Sequence, residues 1–242
     1  MVPGLSPQEL GDLEERGALA VLQWASERYA PGLVFATGFG VEGCIIVDLV
    51  ARHGLNVDIF TLDTGLLFPE TYELWRRLEQ RYGITIRAVK PAQTVEEQNA
   101  THGDALWTRD SNQCCNLRKV LPLNNELKGK TAWISAIRRE QTPERANARA
   151  VEPDAKFNLV KINPLVAWTK KDVWRHVFDH NVPYNPLHDQ GYPSIGCAPC
   201  TTPVAEGEDP RAGRWRGQAK RECGLHVQGA LPVLPSSEES ST

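Results

Sequence analysis

Apolar residues recur along this chain with two alternating periods. After the capping signature Ser6-Pro7-Gln8-Glu9, Leu10, Leu13, Ala18, Leu22 and Ala25 fall at roughly helical spacing, which predicts one N-terminal helix over 6–29. The run Leu33-Val34-Phe35-Ala36 then reads as a buried strand, the stretch Thr37-Gly38-Phe39-Gly40 as a turn, and Glu42 to His53 as a helix stopped by Gly54. A second strand is predicted from Val57 to Thr61, a turn at Asp63-Thr64-Gly65, a helix from Pro69 to Arg81 and a third strand from Ile84 to Val89. Helical segments follow over 94–101 and 112–121, strands from Thr131 to Ile137 and Phe157 to Ile162, and a helix capped by Thr169 that runs to about His180. Strands alternating with helices at this spacing imply right-handed βαβ crossovers. The expected fold is therefore α/β, a mostly parallel twisted sheet with helices on both faces. The division expected is one domain over 1–227. Its α/β core spans about 30–180, a Pro/Gly-rich loop 181–217 and a short segment 218–227; the polar end, 228–242, is expected to be disordered.

Composition narrows the function without naming it. A chain of 242 residues, 41% of them hydrophobic, buries enough surface to fold without disulfides or metal. Its formal net charge of −3 argues against a nucleic-acid or anionic-lipid surface. No apolar run approaches the ~20 residues of a membrane span, and the opening residues lack the basic and apolar regions of a secretory leader. Six cysteines in such a chain point to a reducing compartment, where clustered thiols serve as ligands or catalysts. A cytoplasmic enzyme is expected.

The cysteines carry the most specific chemistry. Cys114 and Cys115 are adjacent, and Cys197 and Cys200 form a C-x-x-C turn around Pro199. Four thiolates in two close pairs suit a zinc ion or a 4Fe–4S cluster. Successive helical side chains diverge by about 100°, so neighbouring cysteines converge poorly on one ion, whereas a wider cubane takes them at different irons. That favours iron–sulfur. Lys119, four residues beyond Cys115, falls on the same side of a helix, a cation beside an anionic group. Cys223 stands apart in Lys220-Arg221-Glu222-Cys223-Gly224-Leu225-His226, where two cations and a histidine favour a nucleophilic thiolate. Cys44, inside an apolar run, reads as core. Arginines gather where loops are expected (Arg138, Arg139, Arg145, Arg149, Arg211, Arg214, Arg216), and in a slightly acidic chain they point to a small phosphate- or sulfate-bearing ligand. The turn Thr37 to Glu42, between a strand and a helix N-terminus, is a second candidate anion site. His176 and His180 have an i, i+4 spacing that can bind zinc, but no glutamate follows His176 and the helix reads as an ordinary amphipathic one.

Three stretches together, Cys114-Cys115-Asn116-Leu117-Arg118-Lys119, Gly196-Cys197-Ala198-Pro199-Cys200 and Glu222-Cys223-Gly224-Leu225-His226, resemble the assimilatory adenylyl-sulfate reductases of the adenylyl-sulfate and phosphoadenylyl-sulfate reductase family. Supporting matches are Leu62 to Gly65, Pro69 to Thr71, Arg138 to Pro143 and Arg211 to Trp215. The resemblance implies an adenine-nucleotide α-hydrolase-like fold, one 4Fe–4S cluster on Cys114, Cys115, Cys197 and Cys200, and Cys223 as nucleophile on a closing C-terminal segment. It places the nucleotide on Thr37, Phe39 and Gly40, with adenine against Leu62. The phosphosulfate would lie among Lys119, Arg139, Arg145, Arg211, Arg214 and His226. The reaction implied converts adenylyl sulfate to sulfite and AMP in sulfate assimilation, through an S-sulfocysteine that a thioredoxin- or glutaredoxin-like thiol resolves. Alternatives are a phosphoadenylyl-sulfate or dual-specificity reductase and, more distantly, a cysteine-liganded ATP pyrophosphatase or sulfur-transfer enzyme. A homo-oligomer is left open. One departure stands out: relatives often carry an acidic residue where this chain has Gly43.

Overall fold

The computed structural model describes residues 6–220 and 222–225. Helix α1 (Pro7–Glu15) begins at the predicted capping box, with the Glu9 N–H donating to Ser6 Oγ and the Ser6 N–H to the Glu9 carboxylate. The single N-terminal helix expected over 6–29 is two helices. Gly17 takes a left-handed φ of 86° and separates α1 from α2 (Ala18–Tyr29). The periodicity could not show the break, because Leu13 before it and Ala18 and Leu22 after it are buried in the same core.

The chain then alternates: β1 (Leu33–Thr37), α3 (Val41–Arg52), β2 (Asp58–Leu62), α4 (Pro69–Tyr82) and β3 (Arg87–Val89). The third strand is shorter than predicted. Ile86 is buried, but only Arg87 to Val89 pair with β2, at the edge of the sheet. Helices α5 (Val95–His102), α6 (Leu106–Arg109) and α7 (Ser111–Cys115) follow; α7 runs into a π-helical turn, Asn116–Val120, and then into α8 (Leu121–Glu126). The predicted helix over 112–121 therefore changes its winding immediately after the double cysteine. Strand β4 (Ala132–Ile134) precedes β5 (Val151–Asp154), β6 (Leu159–Ile162) and α9 (Lys170–His180).

Among the described residues six strands form one sheet in the order β3-β2-β1-β4-β6-β5, parallel except for β5 against β6. Pro153 lies within β5, and a proline cannot donate to a ladder; at the sheet edge that costs little, but in the sequence it masks the strand. Side chains alternate across β1. Leu33 and Phe35 pack under α2, α3 and α9, while Val34 joins Phe60, Leu123, Leu127 and Trp133 on the other face. The strand order reverses between β1 and β4, so a crevice opens above their carboxyl ends. From 181 to 217 only short 3-10 turns interrupt the loop, Pro186–Gln190 and Ala198–Cys200. The stretch expected to be disordered, 228–242, lies outside the described residues. Among those described, no helix is long and apolar enough to cross a membrane.

The histidine pair on α9 has a structural partner. Asp48 of α3, fully buried, is hydrogen-bonded to His176 Nε2 at 3.0 Å, accepts from the Tyr82 hydroxyl at 2.9 Å and pairs with Arg52 at 3.2 Å. The His180 ring lies 4.3 Å from that of His176. Burial pushes the Asp48 carboxyl up, but the hydrogen bonds from His176 and Tyr82 and the charge of Arg52 outweigh it and hold it below the usual aspartate value. A carboxylate so held contributes stability at neutral pH and loses it as pH falls through the lowered value. Asp48→Ala strands three donors and is expected to cost about 3 kcal/mol. In a domain of this size that lowers the melting temperature by roughly 6–12 °C at pH 7. The difference between the two proteins should shrink in thermal melts below the ordinary carboxylate range.

Candidate active site

The crevice at the strand ends is a cavity of about 220 Å³. Thr37 and Gly38 reach it from the end of β1, Thr61 and Leu62 from β2, and Lys119 from the π-helical turn. Arg145 belongs to the segment after β4, and Cys197, Arg211 and Arg214 to the loop 181–217. Glu222 and Cys223 complete the lining from the C-terminal segment, so Cys223 faces residues far from it in sequence. That segment is fastened at several points: Glu222 pairs with two arginines, Lys156 Nζ donates to the Gly224 carbonyl, and Leu225 packs on the Trp133 face of the sheet.

Thr37 Oγ1 accepts from the Phe39 N–H at 3.1 Å and fixes the turn after β1. Phe39 itself adopts a φ of 57° and is buried, its ring stacked on Trp75 at 5.6 Å. Gly40 caps α3. Neither Phe39 nor Gly40 lines the cavity, which the turn meets through Thr37 and Gly38. A Cβ on Gly43 would lie 2.8 Å from Thr37 Oγ1, so α3 approaches the turn more closely than a larger residue permits without a shift of that side chain.

The two cysteine pairs are brought together by the loop between β2 and α4. Thr64 Oγ1 lies 3.3 Å from Cys197 Sγ, and the Ala198 N–H donates to the Leu66 carbonyl at 2.7 Å. The buried Arg118 donates through Nε to the Thr64 carbonyl at 2.6 Å and through Nη1 to Gln98 at 3.1 Å, tying the helix of the first pair to the same loop. The Trp215 N–H donates to the Cys200 carbonyl at 3.0 Å. A Cβ on Gly196 would sit 2.3 Å from an Arg214 nitrogen, so the residue before Cys197 has to be glycine for the guanidinium to pack there.

The charges couple. Burial, with Cys115 and Cys197 nearby, pushes the Cys114 thiol up to about 11. Burial and the other three cysteines push Cys200 up to about 11 as well. For Cys197 burial acts in the same direction, but Lys119 and the Thr64 hydroxyl outweigh it and lower the thiol. Lys119 is itself raised: burial would deprotonate it, yet Cys197, Cys223 and Cys115 keep the ammonium charged. Lys119 thus favours the Cys197 thiolate, while the raised Cys114 and Cys200 thiols need a further positive group to ionise. The buried Trp215 Nε1 has no hydrogen-bond partner among the described residues. Four thiols whose charges act on one another fit a cationic, sulfide-bearing group. Among the described residues no three Cys, His, Asp or Glu side chains are gathered tightly enough for a single metal ion.

Three arginines line the cavity. Burial and the charge of Arg211 press both Arg145 and Arg214 below the usual arginine value, a surplus of positive charge that an anion relieves. Arg214 stacks over the Trp215 ring at 4.5 Å and donates to Ser194 Oγ and the Ile195 carbonyl. Arg139 is placed elsewhere than expected: it pairs with Glu14 at 2.6 Å and donates to the Ala148 carbonyl, outside the cavity lining. Its neighbour Arg138 pairs with Glu42 at 2.9 Å and braces the turn after β1. His226 lies outside the described residues. Sequence reasoning passed over Thr64, Arg118, Trp215 and Glu222 as parts of the site; their one signal was adjacency to the cysteines and arginines it did single out.

Residues 32–203 match the phosphoadenosine phosphosulfate reductase domain. The chain is 53% identical to adenosine 5'-phosphosulfate reductase 1 of Bacillus subtilis over 212 residues, 87% of this chain and 91% of the relative. It is 50% identical to the adenosine 5'-phosphosulfate reductase of Geobacillus kaustophilus over 222 residues, 91% of this chain and 94% of that one. The fold superposes on a phosphate complex of phosphoadenylyl-sulfate reductase from Candida auris with a TM-score of 0.72 and 31% identity, covering 82% of this chain and 98% of that structure. A likeness to Candida glabrata FMN adenylyltransferase, TM-score 0.54 at 13% identity over 87% of this chain and 74% of that one, concerns the fold alone.

Proposed function

The chain belongs to the phosphoadenosine phosphosulfate reductase family, and on that premise we propose that it reduces adenylyl sulfate to sulfite and AMP, with Cys223 as the nucleophile. The observation that carries this reading is the shared cavity: a cysteine from the C-terminal segment lines the same crevice as Lys119, Arg145, Arg211 and Arg214 at the ends of the parallel strands. Adenylyl sulfate is preferred over its 3'-phosphorylated form because the relatives that share about half of this sequence carry the former name, while the phosphoadenylyl-sulfate reductase shares 31%.

In this reading Thr37 and Gly38 receive the nucleotide phosphate at the end of β1, and the backbone of Leu62 meets the adenine. Lys119 and the three arginines neutralise the phosphosulfate oxygens, and do so most as charge builds on the departing phosphate. The Cys223 thiolate attacks the sulfur atom; an S–S bond forms, the bond from sulfur to the phosphate oxygen breaks, and AMP leaves with that electron pair. The product on the enzyme is an S-sulfocysteine. A thiolate of an external dithiol, of thioredoxin or glutaredoxin type, attacks Cys223 Sγ; sulfite leaves with the S–S bonding pair, and the second thiol of the carrier releases Cys223. Both electrons come from the dithiol. Cys114, Cys115, Cys197 and Cys200 would hold one 4Fe–4S cluster, which supplies positive charge to four coupled thiolates and an electrostatic wall beside Lys119. We place the protein in the cytoplasm, where such a dithiol is kept reduced.

Intact-mass spectrometry after mixing the protein with adenylyl sulfate and no thiol is expected to show one added SO₃ group, mapped to the Cys223 peptide and removed by thioredoxin. An unmodified Cys223 peptide under these conditions refutes the assignment.

A further inference from the structure

The cavity's arginines already hold an anion. Arg145 Nη2 contacts both oxygens of the Glu222 carboxylate, at 2.8 and 3.1 Å, and Arg211 Nη2 contacts one of them at 3.3 Å. The Glu222 side chain is only 10% exposed, so the pair is largely desolvated, and it lines the cavity with Cys223, its immediate neighbour. A carboxylate in a guanidinium fork has the same charge and donor geometry as one edge of a phosphate or sulfate. Arg145 Nη1 donates to Gln141 Oε1 at 2.5 Å and Nη2 to Glu222, while its buried Nε has no hydrogen-bond partner among the described residues. An anion that takes the Nη2 groups of Arg145 and Arg211 together therefore competes with this carboxylate. Around Cys223 the other described fastenings are single contacts, the Gly224 carbonyl on Lys156 and Leu225 on the sheet, while Gln218 and Lys220 anchor the start of the segment to Ser111.

We propose that Glu222 is a positioning residue that the anionic ligand exchanges for itself: its carboxylate docks the Cys223 segment on the Arg145–Arg211 pair, and a phosphate- or sulfate-bearing ligand takes the pair and frees the segment. Resting on the reductase reading, this links two needs of the chemistry. Before the nucleotide arrives the thiol is held over the cavity and shielded. Once the arginines hold the ligand, the same segment is free to align the thiol and then to carry it, modified, out to an external thiol.

The test uses the full-length, cluster-loaded protein and reads iodoacetamide labelling of Cys223 by peptide mass, with inorganic pyrophosphate as the competing anion. Pyrophosphate is expected to speed labelling of the parent by about tenfold, the factor set by loss of one charge-assisted contact. Glu222→Gln is expected to label about tenfold faster than the parent without any anion and to respond little to pyrophosphate, while Glu222→Asp keeps the anion response. In turnover, Glu222→Gln lowers KM for adenylyl sulfate and lowers kcat, a split that a merely structural residue does not produce. Labelling of Glu222→Gln at the parental rate, or pyrophosphate that slows labelling of the parent, overturns the proposal. Should Glu222→Gln lose iron or helical signal, the parent's response to pyrophosphate and that of Glu222→Asp decide alone. Labelling needs no turnover, so it stands or falls separately from activity on adenylyl sulfate.

Discussion

Cys223→Ser is expected to lower sulfite release from adenylyl sulfate by roughly 10⁴-fold or more, the scale of losing a nucleophile outright. The cause lies in the ionisation of the attacking atom. A serine hydroxyl stays protonated at neutral pH, and the cavity's carboxylate, Glu222, is held by Arg145 and Arg211, with Lys119 and Arg214 as further cations in the lining. Cations take no proton from an alcohol, and an un-ionised hydroxyl is the poorer nucleophile. Because the fold is built by the sheet and its two packed faces, to which the segment's described residues contribute Leu225 and a few polar contacts, the variant should keep its fold and, on the proposed reading, its cluster and its affinity for AMP. Steady-state sulfite assays with iron analysis and AMP titration check this, and more than about one per cent residual turnover in an iron-replete variant removes Cys223 from its role.

Lys119→Met is expected to lower kcat/KM by about 10²–10³, the effect of removing one preorganised charge from a desolvated site. Lys119 is where the two halves of the site meet electrostatically, since Cys197 and Cys115 on one side and Cys223 on the other all raise it. Methionine keeps the length of the stem and deletes the charge. Two readouts separate its duties. A loss of turnover at full iron content assigns the charge to the phosphosulfate and the Cys223 thiolate, and a loss of iron assigns it to the cysteine quartet. Wild-type kcat/KM would contradict the arrangement altogether. Lys119→Arg should recover only part of the rate, because a planar guanidinium does not replace a compact ammonium among three sulfurs.

Much of this was legible before any coordinates. The period of the apolar positions located all five of the parallel strands and most of the helices between them, because strands buried on both faces and helices with one buried stripe leave different repeats. It failed where local signals conflict with tertiary ones. Gly17 breaks a helix whose apolar period continues across it, Pro153 hides an edge strand, and the π-helical turn after Cys115 leaves no compositional trace.

The candidate site divides in the same way. The order and spacing of the six cysteines determined which thiols form a group and which one stands alone, since donor chemistry is written in residue type and spacing. Only the tertiary structure decided which charges meet them. Arg145 and Arg211 turn to Glu222, Arg139 to Glu14, Arg118 to the Thr64 carbonyl, and Phe39 to Trp75. An arginine in a loop looks the same in sequence whether it faces a ligand, a carboxylate or a carbonyl. Its partner is chosen by tertiary packing, which brings together residues as distant in sequence as Glu14 and Arg139, and no local pattern along the chain records that choice.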